Sequence, residues 1–189
     1  MLTVIKYKMK KEIKKIIEIE EGINVDVNMP VVKINGPNGS VEKTFRTKAI
    51  NVEKKDNQII VGHPNATKKE KKLIGTIASH ITNMLKGVKK DYVYEVQICS
   101  VHFPITVKLE GNKLIIKNFF GENKDREVSF KPNVKVSIQE DIIKITSPNK
   151  ESAGETASLF EHATRLSSKD RRIFQDGLWI ITKQKGKNT

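Results

Sequence analysis

The chain states one pattern twice. Strand-like alternation, a tight glycine turn, two further strands and a helix that starts shortly after a proline run from Ile16 to about Glu95. A degenerate copy runs from about Val96 to Thr182. Ile50-Asn51-Val52 falls on Val134-Lys135-Val136, Gln58-Ile59-Ile60-Val61 on Ile142-Ile143-Lys144-Ile145, and Pro64 on Pro148, an offset of 84. A repeat of this length sets the architecture before any single residue does. It divides the chain into a basic N-terminal extension (1–15), a first α+β module (16–95), a second (96–182) and a basic C-terminal tail (183–189). The expected fold is α+β: two tandem similar modules, each an antiparallel β-sheet with a helix packed on one face. Two small modules also displace a single catalytic cleft as the default picture.

Local signals fill in each copy. In residues 1–15, Ile5, Met9 and Ile13 lead to Ile17 at a helical spacing, but without a cap, so the extension has no assigned structure. From Ile17 the period is two, through Ile19, Ile23, Val25 and Val27. Gly36-Pro37-Asn38-Gly39 predicts a hairpin between Val31–Asn35 and Ser40–Arg46. Thr67-Lys68-Lys69-Glu70 is a capping-box sequence ahead of the stripe Leu73, Ile74, Ile77, Ala78, Ile81, Met84 and Leu85, with Gly87 as the expected stop. In the second copy, strands at Tyr92–Val101, Ile105–Glu110, Leu114–Phe119 and Arg126–Phe130 precede a late hairpin. Ser152-Ala153-Gly154-Glu155 predicts the cap of the second helix. Ser167-Ser168-Lys169-Asp170 predicts a short further helix, and Leu178–Ile181 a last strand.

The chain has a formal net charge of +13 and a pI near 9.7, and both halves are basic. Such an excess speaks to partners, chiefly nucleic acid or an anionic membrane. No apolar run reaches spanning length, so no membrane partner is expected. Met1–Lys15 has neither the apolar stretch nor the cleavage site of a secretory signal. With Cys99 as the single cysteine, no disulfide or thiolate zinc site forms within one chain, and a reducing compartment fits.

Catalytic chemistry has no footing. His63, His80, His102 and His162 show no metal-ligand spacing and read as structural or surface residues. Cys99 reads as a small buried hydrophobe. There is no phosphate loop of the GxxxxGK[ST] type and no GxGxxG. The expectation is a non-enzyme without cofactor or metal. Gly36-Pro37-Asn38-Gly39 matches the GxxG of KH domains, so a free-standing RNA-binding module using that loop is the alternative reading. The flanking strands favour a plain hairpin. The corresponding tip of the second copy, Lys117-Asn118-Phe119-Phe120-Gly121-Glu122-Asn123-Lys124, combines cations, an amide, aromatics and glycine. Phosphates need Lys or Arg, and glycine eases close backbone approach. Lys117, Lys124 and Arg126 are therefore candidate RNA contacts. Arg165, Lys169, Arg171 and Arg172 form the strongest late basic cluster. With only 6% aromatic residues, phosphate and shape recognition of folded RNA fits better than stacking along a single strand.

Several stretches together resemble a known family. They are Ile34–Gly39, Ile77-Ala78-Ser79-His80-Ile81-Thr82-Asn83-Met84-Leu85-Lys86-Gly87-Val88, His102-Phe103-Pro104-Ile105, Lys117–Glu122 and Arg171-Arg172-Ile173-Phe174-Gln175-Asp176-Gly177. In this order they are similar to the universal large-subunit ribosomal protein six, called number nine in eukaryotes, in its archaeal and eukaryotic branch. The resemblance implies two tandem α+β domains and a structural, non-enzymatic protein of the cytosolic large subunit. It implies binding of large-subunit rRNA chiefly through the second module, near the sarcin–ricin loop and the stalk base. Neighbouring ribosomal proteins of the stalk base and, transiently, translational GTPases are the implied partners. By position it carries rRNA contact onto Lys117, Asn118, Gly121 and Lys124, and onto Arg171, Arg172 and the tail with Lys183, Lys185 and Lys187. Two features depart from the family pattern: Asn38 stands where a Lys or Arg is usual, and the extension Met1–Lys15 is longer and richer in lysine.

Overall fold

Apolar residues at every second position, interrupted by glycine and asparagine turns, give the chain its strands. In a computed structural model, which describes residues 11–47, 49–166 and 169–183, they form two units that part between Lys90 and Asp91. In the first unit, β1 (Lys11–Glu18), β6 (Gln58–Ala66) and β5 (Asn51–Lys55) make one antiparallel sheet. β2 (Asn24–Asn28), β3 (Val31–Gly36) and β4 (Gly39–Thr44) make another, and α1 (Lys68–Lys89) packs on the strands. In the second unit, β7 (Tyr92–Cys99) lies between β12 (Ile142–Ser147) and β13 (Gly177–Lys183), with β11 (Lys135–Gln139) outside β12. β8 (Thr106–Glu110), β9 (Lys113–Lys117) and β10 (Arg126–Ser129) form its second antiparallel sheet, and α2 (Lys150–Ala163) completes it.

Six strands and a helix recur in the same order in both units. The offset of 84 carries β5 onto β11 and the start of β6 onto β12. The Ile19 N–H donates to the Asn57 carbonyl at 2.8 Å, and the Ile98 N–H to the Asp141 carbonyl at 2.7 Å. The acceptors keep the offset while the donors do not, because the stretch between donor and acceptor is longer in the second unit. β13 has no first-unit counterpart, since the chain leaves α1 directly into β7. Each unit has its own core. Val32, Ile34, Ile59, Val61, Ile81 and Val88 are fully enclosed in the first; Val96, Leu114, Ile116, Ile143, Ile145 and Phe160 in the second. Each such side chain contributes roughly 1.5–3 kcal/mol.

Several local expectations are corrected. β1 begins at Lys11, within the stretch set apart as an extension, and pairs antiparallel with β6; Ile13 and Ile17 pack on the core. Ile5 and Met9 lie outside the described residues. α1 starts as expected: the Thr67 N–H donates to the Glu70 carboxylate at 2.8 Å and the Thr67 hydroxyl accepts from the Lys69 N–H. Hydrogen bonds from the Thr67 hydroxyl and then the backbone hold the Glu70 carboxyl at about 2. Gly87, however, is buried inside the helix, which runs on to Lys89. The second helix starts earlier than Ser152-Ala153-Gly154-Glu155 implies. Asn149 is its cap, accepting from the Glu151 N–H at 3.0 Å, while Ser152 is buried and receives the Asn133 amide. Past Lys169 there is a single turn, not a helix: the Asp170 carbonyl accepts from Ile173 and Phe174. Ser167 and Ser168 lie outside the described residues. Cys99 is half-buried, and its free thiol is pushed up chiefly by burial.

Gly36-Pro37-Asn38-Gly39 joins β3 to β4, with Gly36 paired to Gly39 across the turn. A KH-type GxxG joins two helices, so the strands overturn that alternative. The turn has another task. The Asn38 N–H donates to the Val88 carbonyl at 3.1 Å, and its side-chain amide to the Lys89 carbonyl at 3.3 Å. Two of the helix's open carbonyls are satisfied from a neighbouring hairpin, which is why α1 does not end at Gly87.

Candidate nucleic-acid interface

The β9–β10 tip is built on three left-handed residues: Asn118 (φ 57°), Phe120 (φ 51°) and Gly121 (φ 72°). Only glycine adopts this region without a penalty, and each of the others costs roughly 1–2 kcal/mol. Burial and hydrogen bonding hold them there. Phe119 is enclosed in the second core, the Asn118 amide donates to the Pro104 carbonyl at 3.0 Å, and the Glu122 N–H closes on the Phe119 carbonyl at 3.0 Å.

The turn presents Phe120 to an aromatic cluster drawn from three separate stretches. Its ring lies 6.1 Å from His102, 6.4 Å from Phe103 and 5.9 Å from Phe174. Asp176 pins two of these stretches together. One buried carboxylate oxygen accepts from the Val101 and His102 N–H groups at 2.7 and 2.8 Å, and the other meets His102 Nδ1 at 2.6 Å. Burial alone would raise this carboxyl. The hydrogen bonds from His102 and the Val101 N–H outweigh that and hold it at about 2. Lys169 stands over the cluster, its Nζ 5.2 Å from the Phe120 centroid and 4.5 Å from that of Phe174.

The candidate cations divide by environment. All three guanidinium nitrogens of Arg126 are engaged within the protein. Nε and Nη2 donate to Glu122 at 2.8 and 2.5 Å, Nη1 donates to the Ala163 carbonyl at 2.7 Å, and the group lies 4.3 Å from the Phe119 centroid. That contact ties the tip to the last turn of α2, where a cation also faces the negative end of the helix. Lys117 pairs with Asp125 at 3.0 Å. Arg171 lies 4.6 Å from the Trp179 ring. Lys124, Arg165, Lys169, Arg171 and Arg172 are exposed. Lys183 ends β13, while Lys185 and Lys187 lie outside the described residues. Reading the residues one at a time passes over the exposed apolar side chains here: Val101 (67%), Phe103 (45%) and Ile173 (65%). It also passes over Asp176 as the anchor. Phe103, Ile173 and Asp176 fall in stretches that carry the family resemblance, but nothing in the sequence places those stretches at one site. Among the described residues no group of three or more His, Cys, Asp or Glu could hold a metal.

The family model for ribosomal protein L6 matches residues 19–91 and again 103–177. The chain belongs to the ribosomal protein L6 family. Similar proteins include "Large ribosomal subunit protein uL6" of Nanoarchaeum equitans, 45% identical over 91% of this chain and 93% of that protein. The proteins of the same name from Staphylothermus marinus (43%; 87% and 91%) and Methanosarcina mazei (38%; 93% and 99%) are also similar. The double match of the L6 model falls on the two structural units, and its second segment includes Phe103, Phe120 and Phe174 of the aromatic cluster. The archaeal relatives agree with the branch that the sequence resembles.

Proposed function

We propose that the second unit holds the chain on large-subunit rRNA through the tip around Phe120 and the segment Lys169–Arg172, near the docking region of translational GTPases. As a member of the L6 family the chain is a non-enzymatic, structural component of the large ribosomal subunit, associated with rRNA and ribosomal proteins. The observation that carries the finer reading is Lys169 standing over Phe120 of the left-handed tip, with Lys124, Arg171 and Arg172 exposed on the same two stretches. Cations on a fixed frame recognise the shape and phosphates of folded RNA without ordering a loop on binding. Arg126 and Lys117 act from behind as positioning residues. The proposed setting is the cytosolic ribosome. No helix among the described residues is long and apolar enough to cross a membrane.

The test is the salt dependence of binding to a large-subunit rRNA transcript. Each phosphate contact adds about one unit to the slope of log K against log salt. Lys124→Ala and Arg172→Ala should each weaken binding and flatten that slope by about one unit. An affinity indifferent to salt, or slopes unchanged in both variants, would remove the proposal.

A further inference from the structure

We infer that Phe103 is a stacking platform for one unpaired nucleobase of the RNA held at this tip, an inference that rests on the rRNA reading above. Phe103 is nearly half exposed although it borders an aromatic cluster. Its place is fixed from three sides. The carboxylate of Asp176 holds the backbone of Val101 and His102 just before it. Asn118 ties down the Pro104 carbonyl just after it. Gly121 lies beneath, where a Cβ would come to 3.7 Å from the ring. The backbone on both sides of the ring is therefore held while the ring stays open to solvent, which lowers the entropic cost of stacking.

The rim favours a nucleobase as occupant over an apolar protein segment. Lys169 stands over the adjoining Phe120 and Phe174 rings, and Lys124 is exposed four residues past Phe120. An aromatic surface bordered by cations fits a base attached to a phosphodiester, with the ring meeting the base and the ammonium groups meeting the phosphates. Val101 and Ile173, both exposed, extend the apolar surface beside His102 and Phe174, whose rings lie 5.4 Å apart.

The experiment compares the full-length chain with Phe103→Ala, Phe103→Leu and Phe103→Trp in binding to an in vitro large-subunit rRNA transcript across a salt series. The Ala and Leu variants should bind roughly 5- to 100-fold more weakly, the range that base–aromatic stacking carries. Their salt slopes should be unchanged, and the Trp variant should bind at least as tightly as the native chain. Ultraviolet crosslinking should join Phe103 itself to a base. Native affinity in Phe103→Ala would overturn the inference while leaving the rRNA reading intact. Native affinity in Phe103→Leu alone would replace stacking by a simple apolar contact and also overturn it. If the native chain fails to bind the transcript, the rRNA reading falls and the platform with it.

Discussion

Asp176 shows how one buried carboxylate organises a surface. Its folded-state value near 2 lies below the ordinary 3.8, so it contributes stability above about pH 4 and loses it as the pH falls toward 2. The depression corresponds to about 2 kcal/mol. Asp176→Asn should cost the second unit about that much at neutral pH and weaken the acid dependence of its unfolding between pH 4 and 2, measured by thermal melts across pH. Arg126 makes the complementary case. Residue type alone marks it as an RNA contact, yet every nitrogen faces the protein. Arg126→Ala should destabilise the second unit by roughly 2 kcal/mol in denaturant titrations. It should also leave the salt slope of RNA binding unchanged, separating a positioning residue from a contact.

At the scale of elements, the first-copy hairpin and α1 are interlocked. A Cβ at Gly36 would come to 2.1 Å from Val88 Cγ1, and Val88 is fully buried with a χ1 held stiff by its branching. Gly36→Ala should therefore destabilise the first unit by about 1–3 kcal/mol. Asn38→Ala should cost about 1 kcal/mol by opening the C-terminal carbonyls of α1. Both are read by denaturant melts. The capping interaction shows what sequence can and cannot carry. Thr67 and Glu70 cap α1 from three residues apart, so the start of the helix was legible. Asn38 caps its end from about fifty residues away, so Gly87 looked like the stop. Ser152 misled for a related reason: its side chain is used inside the unit, and Asn149, nearer Pro148, took the cap. Strand positions were legible because alternation is local. The division of each unit into two sheets was not, because pairing β1 with β6 across the four intervening strands is set by which apolar faces meet in the core.

For the molecule as a whole, the duplication supplies the same topology twice but not the same surface. The first copy closes its hairpin in two residues and turns it against its own helix. The second opens the equivalent hairpin into an eight-residue connection, Asn118–Asp125, and adds β13, whose start at Gly177 follows the Asp176 anchor. The stretches assembled at this tip are far apart in sequence, so His102, Phe103 and Asp176 could be matched to a family as motifs but not placed at one site. Charge alone does not separate the units, since both are basic; a rigid tip with exposed cations and apolar side chains does. The most direct test is RNA–protein crosslinking with mass spectrometry on intact large ribosomal subunits from the source organism. The account predicts that crosslinks in this chain concentrate at residues 101–104, 117–126 and 165–172. Crosslinks confined to the first unit, with none at these positions, would contradict it.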